Sequence, residues 1–291
     1  MRLPATDPTL ARPDTLVLLA PAATLVPAAF EEVDVDAARH AALLTGVQRL
    51  RGATYLRDGA ISEQQLTDGC HVQGADDASW HVVSVHADGR VMACARFRVH
   101  AADSAPESLG VWSSALARSA AWSGRLRVAI ESDMTLARLR GLVYAEVGGW
   151  AVAEEWRCST QAATTALSTY ALAEALGGCI GITTATVRHC SARILRKLGG
   201  RALEADGTSL PSYFDPQYGC EMEILRFDSR TPGRKYDLHV ARLARTLRTL
   251  PVVCATPGVR VAAGASRRLE TLAALADGHV PCFVQGGLAT A

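Results

Sequence analysis

Residues 142–200 read LVYAEVGGWAVAEEWRCSTQAATTALSTYALAEALGGCIGITTATVRHCSARILRKLGG. Val143, Ala145 and Val147 alternate with Tyr144, Glu146 and Gly148, the two-residue period of a strand. Gly148-Gly149 interrupts that strand, where glycine marks a bulge or a close backbone approach. Ser159 suits an N-cap, and Ala162, Ala163, Ala166, Leu167, Tyr170 and Ala171 follow at helical spacing. Gly177-Gly178 closes that helix. Cys179–Val187 is β-branched and apolar and reads as a buried strand, and a second helix, RHCSARILRKL, stops at Gly199-Gly200. Strand, helix, parallel strand and helix in this order predict an α/β fold with a right-handed crossover.

This unit has chemical consequences. A bulge at Val147, Gly148 and Gly149 takes N–H groups out of the ladder, where they can donate to a ligand carbonyl. The turn Arg157-Cys158-Ser159-Thr160-Gln161-Ala162 opens a helix whose free N–H groups and positive dipole end suit a phosphate. A bulged strand leading to an anion-binding helix start is what a pantetheine-linked acyl donor requires.

On these residues the segment resembles the core of the GNAT acyltransferases. Arg157 and Ala162 fit the family's phosphate turn, with Thr160 in place of its usual glycine. Ser191, Lys197, Leu198 and Gly199 fit its last helix, while Arg188 replaces an Asn and Leu195 replaces the Tyr that is the usual general acid of acetyl-CoA enzymes. Glu146-Val-Gly-Gly-Trp150-Ala-Val152 resembles the Glu-x-Ser-Arg-Phe-x-Val strand of acyl-homoserine-lactone synthases, whose relatives are the N-acyl amino acid synthases. Gly149 stands where their Arg would be. Ala93-Cys94-Ala95-Arg96-Phe97 resembles the Gly-Cys-x-Arg-Leu strand of the same synthases, and Arg51-Gly-Ala-Thr-Tyr55 resembles their Arg-x-x-x-Phe segment. Asp76-Asp77 is a loose echo of their acidic Glu-x-Asp-x-x-Asp segment, so the acceptor need not be S-adenosylmethionine. The resemblance implies a GNAT-like mixed central sheet flanked by helices over residues 37–230. It also implies an acyl-CoA or acyl-phosphopantetheine donor, with Arg51, Tyr55, Arg96 and Trp150 at the acceptor.

Composition fits a globular protein: 291 residues, 49% hydrophobic and 20% charged. The net charge of +1 offers no strong field for nucleic acid or an anionic membrane. None of the eight cysteines forms a C-x-x-C pair, so reduced thiols in a cytoplasm are expected rather than a zinc site or disulfides. The apolar run Leu16–Phe30 is preceded by acidic residues, broken by Pro21 and Pro27, and too short to span a bilayer.

Five prolines before residue 35 predict an extended N-terminal arm over 1–36. A helix begins near Asp36, with Leu43, Val47 and Leu50 on one face, and Ser62–Gln65 resembles a capping box. Trp80–His100 is a hairpin turning at Asp88-Gly89. Helical patterns cover Leu109–Trp122 and Met134–Leu142. Residues 220–229 read as a late strand. A C-terminal helical extension is expected over 231–291, with Leu238, Leu243, Leu247 and Leu250 apolar in a helix over Lys235–Leu250, and a further helical run near 267–276.

Amide formation from a thioester needs a neutral amine, a polarised carbonyl and a protonated leaving thiolate. Glu146 beside the bulge can accept the amine proton, directly or through water. The bulge N–H groups stabilise charge developing on the carbonyl oxygen. His189 and Ser191 are candidates for protonating the thiolate. The reading is an N-acyltransferase using an acyl-carrier protein or acyl-CoA, with an amino acid or related amine as acceptor and no metal. An aminoacyl-tRNA-dependent transferase and a non-catalytic acyl-binding module stay open beside it.

Overall fold

The computed structural model describes residues 15–22, 25–101, 103–157, 159–257 and 259–261. The chain runs through β1 (Thr15–Leu19), β2 (Leu25–Pro27), β3 (Val33–Val35), α1 (Ala37–Arg57), β4 (Trp80–Val85) and β5 (Val91–His100). It continues through α2 (Ser123–Leu139), β6 (Val143–Val152), α3 (Thr160–Ala175), β7 (Cys179–Thr186) and α4 (Ser191–Leu198). Short strands β8 (Arg201–Ala202), β9 (Glu204–Ala205), β10 (Thr208–Ser209) and β11 (Tyr213–Asp215) lead to β12 (Cys220–Asp228). Helix α5 (Asp237–Leu247), β13 (Val252–Cys254) and β14 (Val259–Val261) follow.

One ten-stranded sheet dominates, in the order β11-β12-β7-β6-β5-β4-β1-β13-β3, with β8 beside β12. It is mixed. The β6/β7, β1/β13 and β13/β3 pairs are parallel and the β4/β5, β5/β6 and β7/β12 pairs antiparallel. Helices α3 and α5 pack on one face, over Phe97, Val143, Ala145 and Cys179. The opposite face is divided. Helix α1 lies over Val17, Leu19, Val83, Cys94 and Ala151, and α2 over Tyr144, Ile180, Ile182 and Ile224. Burying each large aliphatic or aromatic side chain contributes about 1.5–3 kcal/mol, which fixes the sheet as the frame of the site.

The strand–helix–strand unit forms as the sequence predicts, and β6 pairs in parallel with β7. The hairpin turns at Gly89, whose φ of 90° needs glycine. Other elements differ. Residues 109–122 form no α-helix: short 3-10 turns cover Pro106–Ser108 and Gly110–Ser113, and α2 starts only at Ser123. The N–H groups of Gly110 and Val111 are drawn to the Glu146 carboxylate instead of into a helix. Helix α4 begins at Ser191, not Arg188, because Cys190 takes a left-handed conformation at its N-cap. Leu238 is exposed, and Val240, Leu243 and Leu247 make the buried face of α5.

Strands from both expected extensions enter the main sheet, while β2 and β14 pair with each other in a separate two-stranded sheet. β1 pairs with β4 and β13, and β13 with β3. The run near 267–276 lies outside the described residues. No helix among the described residues is long and apolar enough to cross a membrane.

Candidate active site

Strands β6 and β7 pair only as far as Glu146 and Ile182. Beyond that point β6 follows β5 to Val152, and β7 follows β12 to Thr186, so the two strands part. The β5/β6 register shifts by one residue between Cys94 and Arg96, placing one extra residue on β6 around Gly149. That is the expected bulge. Gly149 has φ 61°, and a Cβ there would lie 3.2 Å from Arg96 Cβ and 3.4 Å from Arg51 Nη1. Only glycine suits this position, and the space a side chain would fill is held by Arg51 and Arg96. A cavity of about 340 Å³ opens in the gap, walled by Val147–Trp150 on one side and Thr183–Thr186 on the other.

A buried ionic cluster sits beside the bulge. Arg51 projects from α1, fully buried, and donates to Asp76 Oδ1 at 2.7 Å, Asp76 Oδ2 at 2.5 Å and the His71 carbonyl at 2.7 Å. Arg96 of β5 donates through Nη1 to Gln73 Oε1 at 2.5 Å and to Asp76 Oδ1 at 3.3 Å. Burial pushes the Asp76 carboxyl up, but the hydrogen bond and charge of Arg51 outweigh it and hold the group well below the usual carboxylate range. Two guanidinium groups and one carboxylate leave this corner of the cavity with a net positive charge. Tyr55, Gln73, Arg96 and Trp150 all line the cavity, while Arg51 and Asp76 brace it from behind. Burial also raises the Tyr55 phenol, which is therefore neutral.

Glu146 projects from β6 at the last paired residue. Its Oε2 accepts from Gly110 N–H at 2.9 Å and its Oε1 from Val111 N–H at 2.8 Å. His100 Nε2 lies 3.5 Å from Oε2 and is fully buried. Burial raises the Glu146 carboxyl, but His100 and the two N–H donors more than offset this, so it lies below its ordinary value and is ionised at neutral pH. A Cβ on Gly110 would come within 3.2 Å of Oε1, so glycine lets this loop close on the carboxylate.

The remaining expected residues divide. His189 and Ser191 line the cavity, and the Ser191 hydroxyl accepts from Thr186 Oγ1 at 3.3 Å. Leu195 lines it too. The turn expected to hold a phosphate lies farther out and does not line the cavity. Arg157 Nη2 bonds both oxygens of Asp58, at 2.8 and 2.7 Å, and the Ser159 hydroxyl donates to the Trp156 carbonyl rather than capping α3. Thr160 donates to Gln161 Oε1 at 3.0 Å. Ala166, one turn beyond Ala162, is the first residue of α3 on the cavity wall. Cys158 lies outside the described residues. Sequence reasoning undervalued Asp76 and passed over Gln73, His100, Tyr218 and Arg226. His100 is signalled by its even spacing from Arg96 and Arg98 along β5, which turns all three to one face.

No protein-family model matches the sequence, and no curated protein matches it by sequence. Solved structures do match. BjaI, a CoA-dependent acyl-homoserine lactone synthase solved with SAM and isopentyl-CoA, aligns over 88% of this chain and 99% of its own, with TM-score 0.52 and 13% identity. The chain shares that fold, a GNAT-like mixed central sheet flanked by helices. BjaI solved with MTA aligns over the same shares with TM-score 0.49 and 15% identity. FeeM, an N-acyl amino acid synthase from uncultured soil microbes, aligns over 75% of this chain and 92% of its own, with TM-score 0.42 and 13% identity. The mixed sheet flanked by helices and the bulge agree with the fold expected from the sequence, and the parting of β6 and β7 is added by the structure.

Proposed function

We propose that this protein is an N-acyltransferase that moves an acyl group from a CoA or acyl-carrier thioester to the amine of an amino acid or related small molecule. The observation that carries this reading is the parting of β6 and β7 at Glu146 and Ile182, with the glycine bulge directly beyond it. The gap suits a thioester arm lying along the bulge, with its carbonyl oxygen accepting from the freed N–H groups. The cluster of Arg96, Gln73 and Tyr55 is the acceptor side, and its net positive charge suits an acceptor that carries a carboxylate.

The amine nitrogen attacks the thioester carbon, and the C–S bond breaks as the C–N bond is completed. Ionised Glu146 takes the amine proton, directly or through a water, while the Gly110 and Val111 N–H groups hold its side chain in place. His189 or Ser191 supplies a proton to the departing thiolate. Holding both substrates in one small cavity replaces any covalent enzyme intermediate. Helix α3 offers its N-terminal N–H groups to the donor's phosphates. Arg157 joins them only on leaving Asp58.

The test is amide formation from acyl-CoA and carrier thioesters by the wild-type protein and by Glu146→Gln. A fall of about 100-fold or more in turnover, with binding kept, supports Glu146 as the base. Undiminished turnover in the variant removes that role. Transfer from aminoacyl-tRNA alone moves the donor assignment, and binding without turnover leaves a non-catalytic module.

A further inference from the structure

Arg226 is the one cationic side chain on the cavity wall that the acyl-transfer scheme leaves without a task. It lies on β12 opposite Ile182 of β7, and Ile182 lies opposite Glu146 of β6. The three side chains therefore form a cross-strand row on the α2 face, with Arg226 about 10 Å from Glu146 measured between Cα atoms. Both oxygens of Asp133 accept from the single Arg226 Nε, at 3.1 and 3.0 Å. The two terminal nitrogens have no other hydrogen-bond partner among the described residues. The Arg226 side chain is 21% exposed, and it lines the cavity. Terminal N–H groups at a cavity wall can donate to a ligand oxygen that takes the place of solvent there.

We propose, resting on the acyl-transfer reading, that Arg226 forms a distal subsite selecting a short acyl group tipped with a neutral oxygen acceptor, a hydroxyl or a carbonyl, over a methyl-ended chain. The acceptor amine belongs at the other end of the cavity, against Arg96 and Gln73, so the β7–β12 end is left for the acyl group. Thr183, Thr184 and Tyr213 put hydroxyl groups at this end beside the apolar Met222 and Phe227, so the wall offers polar partners as well as apolar surface to a short acyl group. The cavity's 340 Å³ is also near the lower limit of small-molecule sites, about 300–1,000 Å³.

Charge decides against a carboxylate tip. Asp133 already neutralises Arg226, and Glu146 stands two strands away in the same row, so a third carboxylate would meet like charge with little solvent to screen it. The bulge lies two or three residues past Glu146, which puts it roughly 12–14 Å from the Arg226 backbone. The arginine side chain and an acyl group of roughly six carbons share that span.

The test compares hexanoyl-CoA, 6-hydroxyhexanoyl-CoA and adipoyl-CoA with the full chain, by thiol release and independently by equilibrium binding. The subsite predicts at least tenfold tighter binding of the hydroxyl-tipped thioester than of hexanoyl-CoA, and the same preference in kcat/KM. Adipoyl-CoA should be the weakest of the three. In Asp133→Asn/Arg226→Met, which removes both charges together, the hydroxyl preference should fall below twofold. Equal or better binding of hexanoyl-CoA by the wild-type protein overturns the subsite, whether or not the variant folds. The tip preference in binding without turnover of any thioester overturns acyl transfer and keeps the subsite. Turnover without a tip preference does the reverse, and no binding of any of the three acyl groups, as the CoA thioester or on an acyl-carrier protein, overturns both.

Discussion

Replacing Asp76 by leucine should be among the most damaging single changes in this chain. The Asp76 carboxylate accepts from Arg51 at 2.7 and 2.5 Å, Gln48 at 3.1 Å, the Gln73 N–H at 3.1 Å and Arg96 at 3.3 Å. Its side chain is 2% exposed and that of Arg51 0%. Asp76→Leu leaves the Arg51 guanidinium buried with the His71 carbonyl and a distant Gln73 oxygen as its acceptors. Stranding one member of a buried ion pair costs about 3–5 kcal/mol. For a chain of this size that lowers Tm by roughly 6–20 °C. The double change Arg51→Met/Asp76→Leu strands no charge and should recover most of the loss. Equilibrium urea unfolding at pH 7 of the wild type, the single variants Arg51→Met and Asp76→Leu, and the double variant gives the coupling directly. Because Asp76 titrates below its unfolded value, its contribution is present above about pH 4 and is lost as pH falls through its folded pKa. The gap between wild type and Asp76→Leu should therefore narrow in acid. A single-variant cost under about 1 kcal/mol, or a double variant that loses the sum of both singles, would refute the reasoning.

Three other outcomes follow from the same geometry. Gly149→Ala should destabilise the fold by about 1–2 kcal/mol from its left-handed conformation alone and should lower turnover further by pressing on Arg51 and Arg96; urea unfolding and kcat read the two effects separately. His100→Asn removes the largest influence that lowers the Glu146 pKa, so the acid limb of kcat/KM should move to higher pH, and an unmoved limb would separate the pair. His81 is buried and its pKa is lowered to about 4 by burial, so stability should fall from pH 6.5 towards pH 4 as the unfolded chain takes up a proton. In His81→Gln that slope should shrink by about 3 kcal/mol over the interval, leaving the part that His71, also lowered by burial, contributes.

The half of the fold that carries the cavity was legible because its signals are local. Alternation in 143–147, glycine pairs at 148–149, 177–178 and 199–200, and the Asp88-Gly89 turn each act within a few residues. The bulge could be placed from Gly148-Gly149 alone. What sequence did not show depends on contacts between distant segments. Leu109–Trp122 has a helical pattern, yet Glu146, about 35 residues on, captures the Gly110 and Val111 N–H groups. Asp76 looks like an ordinary loop acid until Arg51 and Arg96 close on it from α1 and β5. The arm before residue 35 shows prolines but not its partner, since β1 pairs with β13 from the other end of the chain. Arg226 carries no motif, and its place in the cavity comes only from the β7/β12 register.

Acyl transfer itself is tested most directly by following thiol release from a panel of acyl-CoA and acyl-carrier thioesters with mixed amino acids as acceptors, with the products weighed by intact mass. Release of thiol in step with a new amide, dependent on both the amine and Glu146, is the result predicted. Folded protein that releases no thiol from any thioester, or releases it only to water, would contradict it.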